Sequence, residues 1–192
     1  MSSQVDIANQ ALMMLGASPI VSFMDESVEA EAVRVLYNPA KKQILRSYDW
    51  NCASKSATLA LLSDPPIDPK WKFRFSLPDD CIRVLEIFQA TSGTGAMWGD
   101  FSVETGTLLA RIDNVACRYI YDVEEPDLDP HVEMAFVARL AVDLSYPLTA
   151  SSSREGNLVE IAERKLDEAR TTDSQERTSK HIQINTLQHA RM

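Results

Sequence analysis

The residues from Met134 to Ala169, MAFVARLAVDLSYPLTASSSREGNLVEIAERKLDEA, constrain the fold more than any other stretch. Met134, Val137, Leu140, Ala141 and Leu144 recur at helical spacing, which gathers them on one face. Pro147 is expected to stop this helix, since proline disfavours helical geometry at Tyr146 and brings no amide hydrogen. Ser152 to Glu155 has the form of a capping box that opens a second helix. Leu158, Ile161, Ala162, Leu166 and Ala169 then share one side of it. A helical hairpin with one apolar side draws most of its stability from packing, so the rest of the chain must supply a partner.

Two earlier segments can do so. Ser3 is placed to cap a helix whose apolar face is Ile7, Ala8, Ala11, Leu12 and Leu15, with Gly16 as its C-terminal glycine. A second pattern follows Asp25-Glu26-Ser27, with Val28, Ala32, Val35, Leu36, Ala40 and Leu45 in helical phase. Glu26, Glu29 and Glu31 near its start and Lys41, Lys42 and Arg46 near its end suit the helix dipole. Pro39 interrupts the pattern, and because the periodicity resumes at Ala40 a kink is expected rather than a break.

Between Asn51 and Glu125 the apolar period drops to two. Trp71, Phe73, Phe75 and Leu77 alternate with Lys70, Lys72, Arg74 and Ser76, which predicts a half-buried strand with a basic outer face. Cys81–Phe88 and Arg118–Val123 read as further strands, with weaker ones near Trp98–Val103 and Leu108–Ile112. Turn residues at Gly93-Thr94-Gly95 and Glu104-Thr105-Gly106-Thr107 separate them. The elements add up to an α+β fold. An antiparallel bundle of about four helices, from residues 1–50 and 126–172, carries an inserted antiparallel β domain, 51–125. Residues 173–192 are polar enough to form an extended, flexible tail.

Composition narrows the function. A net charge of −9 and a pI near 4.8 argue against gripping nucleic acid through its phosphates. Cys52, Cys81 and Cys117 are widely spaced and odd in number, which suggests buried thiols in a reducing compartment. The opening MSSQVDIANQALMMLG lacks the pattern of a signal peptide, and no run is long enough for a membrane span, so a soluble protein without a standard export signal is expected.

No GxSxG, HExxH, P-loop or GxGxxG motif is present, and His131, His181 and His189 form no metal-binding pair, so no catalytic, cofactor or metal site is expected. Asp79-Asp80 and Glu124-Glu125 are the carboxylate pairs from which a glycan hydrolase would have to be built, but both sit where turns need acidic residues. Trp50, Trp71 and Trp98 are read as core anchors before a stacking platform.

Three blocks together resemble one family. IANQALMMLGASPIVSFMDES with the later Tyr48-Asp49-Trp50, WKFRFSLPDDCIRVLEI with Phe75, Leu77, Pro78 and Asp80 at its centre, and FVARLAVDLSYPLTASSS with Pro147, Leu148 and Thr149 resemble the tail tubular protein A family of short-tailed bacteriophages. The resemblance covers most of residues 5–172. It implies a structural virion protein of the tail and neck, assembled in the host cytoplasm. Such an adaptor docks on the portal protein and gives the tail nozzle its attachment surface. Copies close into a ring, twelve-fold in relatives, that extends the DNA channel without reading sequence.

On this reading the basic face Lys70, Lys72 and Arg74 meets an acidic segment containing Asp122, Glu124 and Glu125 in the next copy. The tail engages the portal through Arg177, Lys180, Ile182, Ile184 and Leu187, since about 20 extended residues reach about 65 Å. A head-completion connector with a different neighbour and a carboxylate-based glycan hydrolase of the tail are the alternatives.

Overall fold

The computed structural model describes residues 2–89 and 99–176. Four helices and two antiparallel sheets make an α+β protein. The helices are α1 (Gln4–Leu15), α2 (Val28–Ser47), α3 (Pro130–Thr149) and α4 (Ser152–Gln175). The strands fall between α2 and α3: β1 (Ser54–Thr58), β2 (Ala60–Leu61), β3 (Phe73–Ser76), β4 (Cys81–Gln89), β5 (Phe101–Glu104), β6 (Thr107–Ala110) and β7 (Val115–Tyr121).

Helix α3 is buried on nearly every side, through Val132, Phe136, Val137, Leu140, Ala141, Val142 and Leu144 among others. An all-round apolar helix needs neighbours on all sides, and α1, α2 and α4 each pack against it. It is longer than expected. Pro147 lies inside its last turn, where few amides remain to be lost, and the helix ends at Ala150 in the left-handed conformation (φ 49°). Ser151 follows as the connector, one residue before the expected cap, and its side chain accepts from the Arg154 amide to cap α4.

Helix α1 forms as its sequence predicts. Ser3 and Asp6 close a capping box, and Gly16 at φ 69° donates back to the carbonyls of Leu12 and Met13. The Asn9 side chain then holds the loop after it, donating to the Ile20 carbonyl at 2.9 Å and accepting from the Ile20 amide at 2.8 Å.

Helix α2 is continuous through Pro39 but rotated from the expected phase. Its buried face is Ala30, Val33, Tyr37, Ala40, Lys41, Ile44 and Leu45, while Val28 and Val35 are exposed. Tyr37 sets this rotation. Its ring packs edge-on between Phe23 and Phe136, at centroid distances of 5.2 and 5.1 Å. Pro39 and Val35 both face solvent, so water can reach the carbonyl that Pro39 leaves without a donor.

The sheets have strand orders β1-β7-β4 and β2-β3-β6-β5. One extended segment passes from β1 to β2 through the buried corner residue Leu59, joining the two sheets. Alternation along β7 explains the layering. Val115, Cys117 and Tyr119 enter a core with Phe75, Ile87 and Leu108, whereas Ile120 enters the helical core with Trp50 and Phe136. The three-stranded sheet is therefore the middle layer, between helices and the four-stranded sheet. Strands β5 and β6 join through Thr105 and Gly106, both at positive φ, as their turn chemistry predicts.

Candidate protein-interaction surfaces

The expected contact divides in two. On its basic side, the expected strand shortens to Phe73–Ser76 because a turn at Asp68 to Trp71 precedes it, and Lys72 and Arg74 alternate with the inward Phe73 and Phe75. Lys70 is exposed, with Nζ 4.6 Å from the Trp71 ring centre. Arg111, which the sequence reading missed, joins them, its Nε donating to the Lys70 carbonyl at 3.0 Å. Among the described residues, these four cations form no ion pair. The Arg74 Nε is enclosed without a hydrogen-bond acceptor.

The acidic side is mostly committed elsewhere. Glu125 is only 6% exposed, not a surface acid, and its Oε1 lies 3.2 Å from the Lys41 ammonium. The same oxygen accepts from the Tyr37 hydroxyl at 3.3 Å and from the Gln4 amide at 3.2 Å. Asp122 Oδ1 lies 3.1 Å from the same Lys41 ammonium. Glu124 alone of the three acids is exposed without a described ion pair. The physical reason is Lys41, which is 8% exposed and must keep a counter-charge where it is buried.

This cluster links α1 through Gln4, α2 through Tyr37 and Lys41, and the β7–α3 connection through Asp122 and Glu125. Burial and then the negative charge of Glu125 push the Tyr37 hydroxyl well above its ordinary pKa. A trace of the hub exists in the sequence, since Lys41 falls four residues after Tyr37 and beside Ala40 on the buried face.

Of the other carboxylate pair, Asp80 is held by Lys55 and by the Tyr119 hydroxyl at 3.3 Å, and Asp79 is exposed. Arg83 reaches Asp49 from β4. Trp50 and Trp71 are buried in the protein. Cys52, Cys81 and Cys117 are free thiols, and burial raises all three, Cys117 to about 12. Among the described residues no group of His, Cys, Asp and Glu could hold a metal, and no helix is long and apolar enough to cross a membrane.

Several large apolar side chains of the α1–α2 region are exposed, as are Leu61, Ile67 and Val103 in the β region. Val21, Met24 and Met13 are 88%, 79% and 76% exposed, and Val28, Val35 and Tyr146 are exposed with them. Val28 and Arg154 line one groove there with the α1 and α3 C-termini. Large apolar side chains left in water are the material from which a surface for another protein is built. Helical phase alone assigns Val28 and Val35 to the core, yet both are exposed.

Along α4 the surface is acidic. Glu160, Glu163, Asp167 and Glu168, with Arg164 and His131, line an open groove of about 710 Å³. Lys165 and Arg170 pair with Glu168 and Asp167, while Glu160 and Glu163 form no ion pair among the described residues.

Helix α4 also runs past residue 173, where the tail was expected to begin. Asp173 is buried, accepting from the Asn51 amide at 2.7 Å, and its carbonyl accepts from the Asn51 side chain at 2.9 Å. This bracket ties the α4 C-terminus to the entry of the β region. Asp173→Ala is expected to cost about 1–3 kcal/mol, because the Asn51 amide loses its acceptor. Hydrogen exchange of the last α4 turn measures it; unchanged protection there would show that the bracket holds nothing. Arg177, Lys180, Ile182, Ile184 and Leu187 lie outside the described residues, as do Trp98, Gly93-Thr94-Gly95, His181 and His189.

No protein-family model matches the sequence, and no curated protein matches it either.

Proposed function

We propose that this chain is a structural virion protein, the head-to-tail adaptor of a short-tailed phage. It docks on the portal, extends the DNA channel and gives the tail nozzle its attachment surface. In this reading the helices form a bundle bearing the β region as an insertion, copies close into a ring, and the C-terminal residues form an extended arm. The observation that supports the proposal is the exposure of the large apolar side chains Met13, Val21, Met24, Val28 and Val35, the kind of side chain that a protein-docking surface uses.

The blocks that resemble the family also fall at joints of the fold. The first contains the Asn9–Ile20 clasp, Tyr48-Asp49-Trp50 closes α2 as the chain enters the sheets, and Pro147-Leu148-Thr149 completes α3. A protein whose copies must meet two neighbours and one another needs rigid joints between its surfaces.

The arm from residue 177 engages the portal, with Ile182, Ile184 and Leu187 as apolar anchors and Arg177 and Lys180 beside them. The truncation that tests this must spare Asp173, so it removes residues 177–192. The shortened chain is expected to keep its melting temperature and to lose portal binding by at least about a hundred-fold, as read by interferometry on immobilised portal. Undiminished binding would remove the arm from the mechanism.

A further inference from the structure

We propose that the basic face formed by Lys70, Lys72, Arg74 and Arg111 docks on the acidic face of α4, Glu160, Glu163 and Asp167, in a second copy of this chain. The proposal rests on the ring reading above and supplies its contact. It also replaces the acidic partner that Lys41 has claimed within the molecule.

The four cations gather where the chain enters β3 and leaves β6, in a protein whose net charge is −9. None has a carboxylate within ion-pair distance among the described residues, and the enclosed Arg74 Nε lacks an acceptor. A concentrated positive patch of this kind, left unneutralised by the described residues, fits an acidic protein surface. The α4 face offers Glu160 and Glu163, likewise unpaired, followed by Asp167 whose only described ion pair is with Arg170 at 3.4 Å.

The spacings agree. Glu160, Glu163 and Asp167 rise about 10 Å along the helix. Lys72 and Arg74 stand two residues apart on chain entering β3, about 6.6 Å, with Lys70 in the turn before them. Side chains as long as Lys, Arg and Glu absorb the difference. The two surfaces are on different elements, one where β3 starts and β6 ends and one on a helix. Pairing them between copies is therefore heterologous, and such contacts repeat head to tail until rotation closes the ring.

The test uses two charge-reversed full-length chains. One carries Glu160→Lys with Glu163→Lys, the other Lys72→Glu with Arg111→Glu. All four positions are exposed, so both chains should melt like the wild type, which calorimetry checks first. Sedimentation velocity at low salt and up to millimolar protein then reads self-association. Each variant alone should associate about a hundred-fold more weakly than the wild type, because like charges now face each other. An equal mixture should recover association, since each chain then meets its opposite on both sides.

Raising the salt should weaken the wild-type contact but not unfold the chain. A wild type that stays monomeric under these conditions overturns the proposal. So does association that survives either reversal, or a mixture that fails to recover. The adaptor reading fails on a different result, absence of portal binding by the wild-type chain, so the two are distinguishable.

Discussion

Glu125→Ala is expected to destabilise the protein by about 3 kcal/mol, because it leaves the buried Lys41 ammonium with only half its counter-charge. Asp122 remains, but its side chain is 39% exposed and partly screened by water, so it compensates only in part. The Tyr37 hydroxyl and the Gln4 amide lose their acceptor in the same step. In a chain of this size the melting temperature should fall by about 6–12 °C.

Glu125→Gln keeps an acceptor and should lose less. Lys41→Met combined with Glu125→Leu should recover most of the loss, since both charges leave the interior together. Urea unfolding of these variants beside Glu124→Ala as an exposed control decides the matter. A Glu125→Ala loss no larger than the control's would mean that the hub does not hold the helices to the sheets.

Trp50→Ala is expected to cost about 4 kcal/mol, from the cavity left by a fully buried indole. Trp50 stands where the chain leaves α2 for β1, in the core that also contains Ala53, Ile120 and Phe136. Its Nε1 donates to the Ile44 carbonyl at 2.8 Å, satisfying one of the open carbonyls at the α2 C-terminus. Its own carbonyl accepts from the Ser54 hydroxyl at 2.6 Å, which fixes the first residue of β1.

Trp50→Phe separates the two contributions. It keeps most of the volume but loses the donor, and should cost about 1–2 kcal/mol. Equilibrium unfolding in guanidinium reads both variants. Equal losses for Ala and Phe would place the whole effect in the hydrogen bond and contradict the packing argument.

What could be read from the sequence depended on whether the deciding interaction was local. Both ends of α1 were legible because a capping box and a glycine stop lie within a few residues of the helix they bound. The β5–β6 turn was legible for the same reason. The phase of α2 was not, because Tyr37 chooses it through Phe23 and Phe136, and Phe136 lies far along the chain. Pro147 misled in another way, since its cost depends on how many helical hydrogen bonds remain beyond it, and here the helix is already ending.

The surfaces divide along the same line. The basic face follows from alternation only in part, since β3 keeps Phe73–Ser76 of the expected strand and Lys70 falls in the turn before it. The fate of Glu125 depends on Lys41 and Tyr37, more than eighty residues earlier, and no local pattern announces it. Asp173 looked like the start of a polar tail because its partner, Asn51, stands at the opposite side of the β region. Arg111 was missed because its place beside Lys70 comes from β3–β6 pairing.

Electron microscopy of the full-length chain mixed with the portal protein of the same phage tests the central claim most directly. The account predicts a closed ring of this chain seated on one face of the portal, coaxial with its channel, with density for the C-terminal arm between portal subunits. Portal particles that remain bare at saturating chain concentration, beside a chain that binds neither portal nor itself, would contradict it.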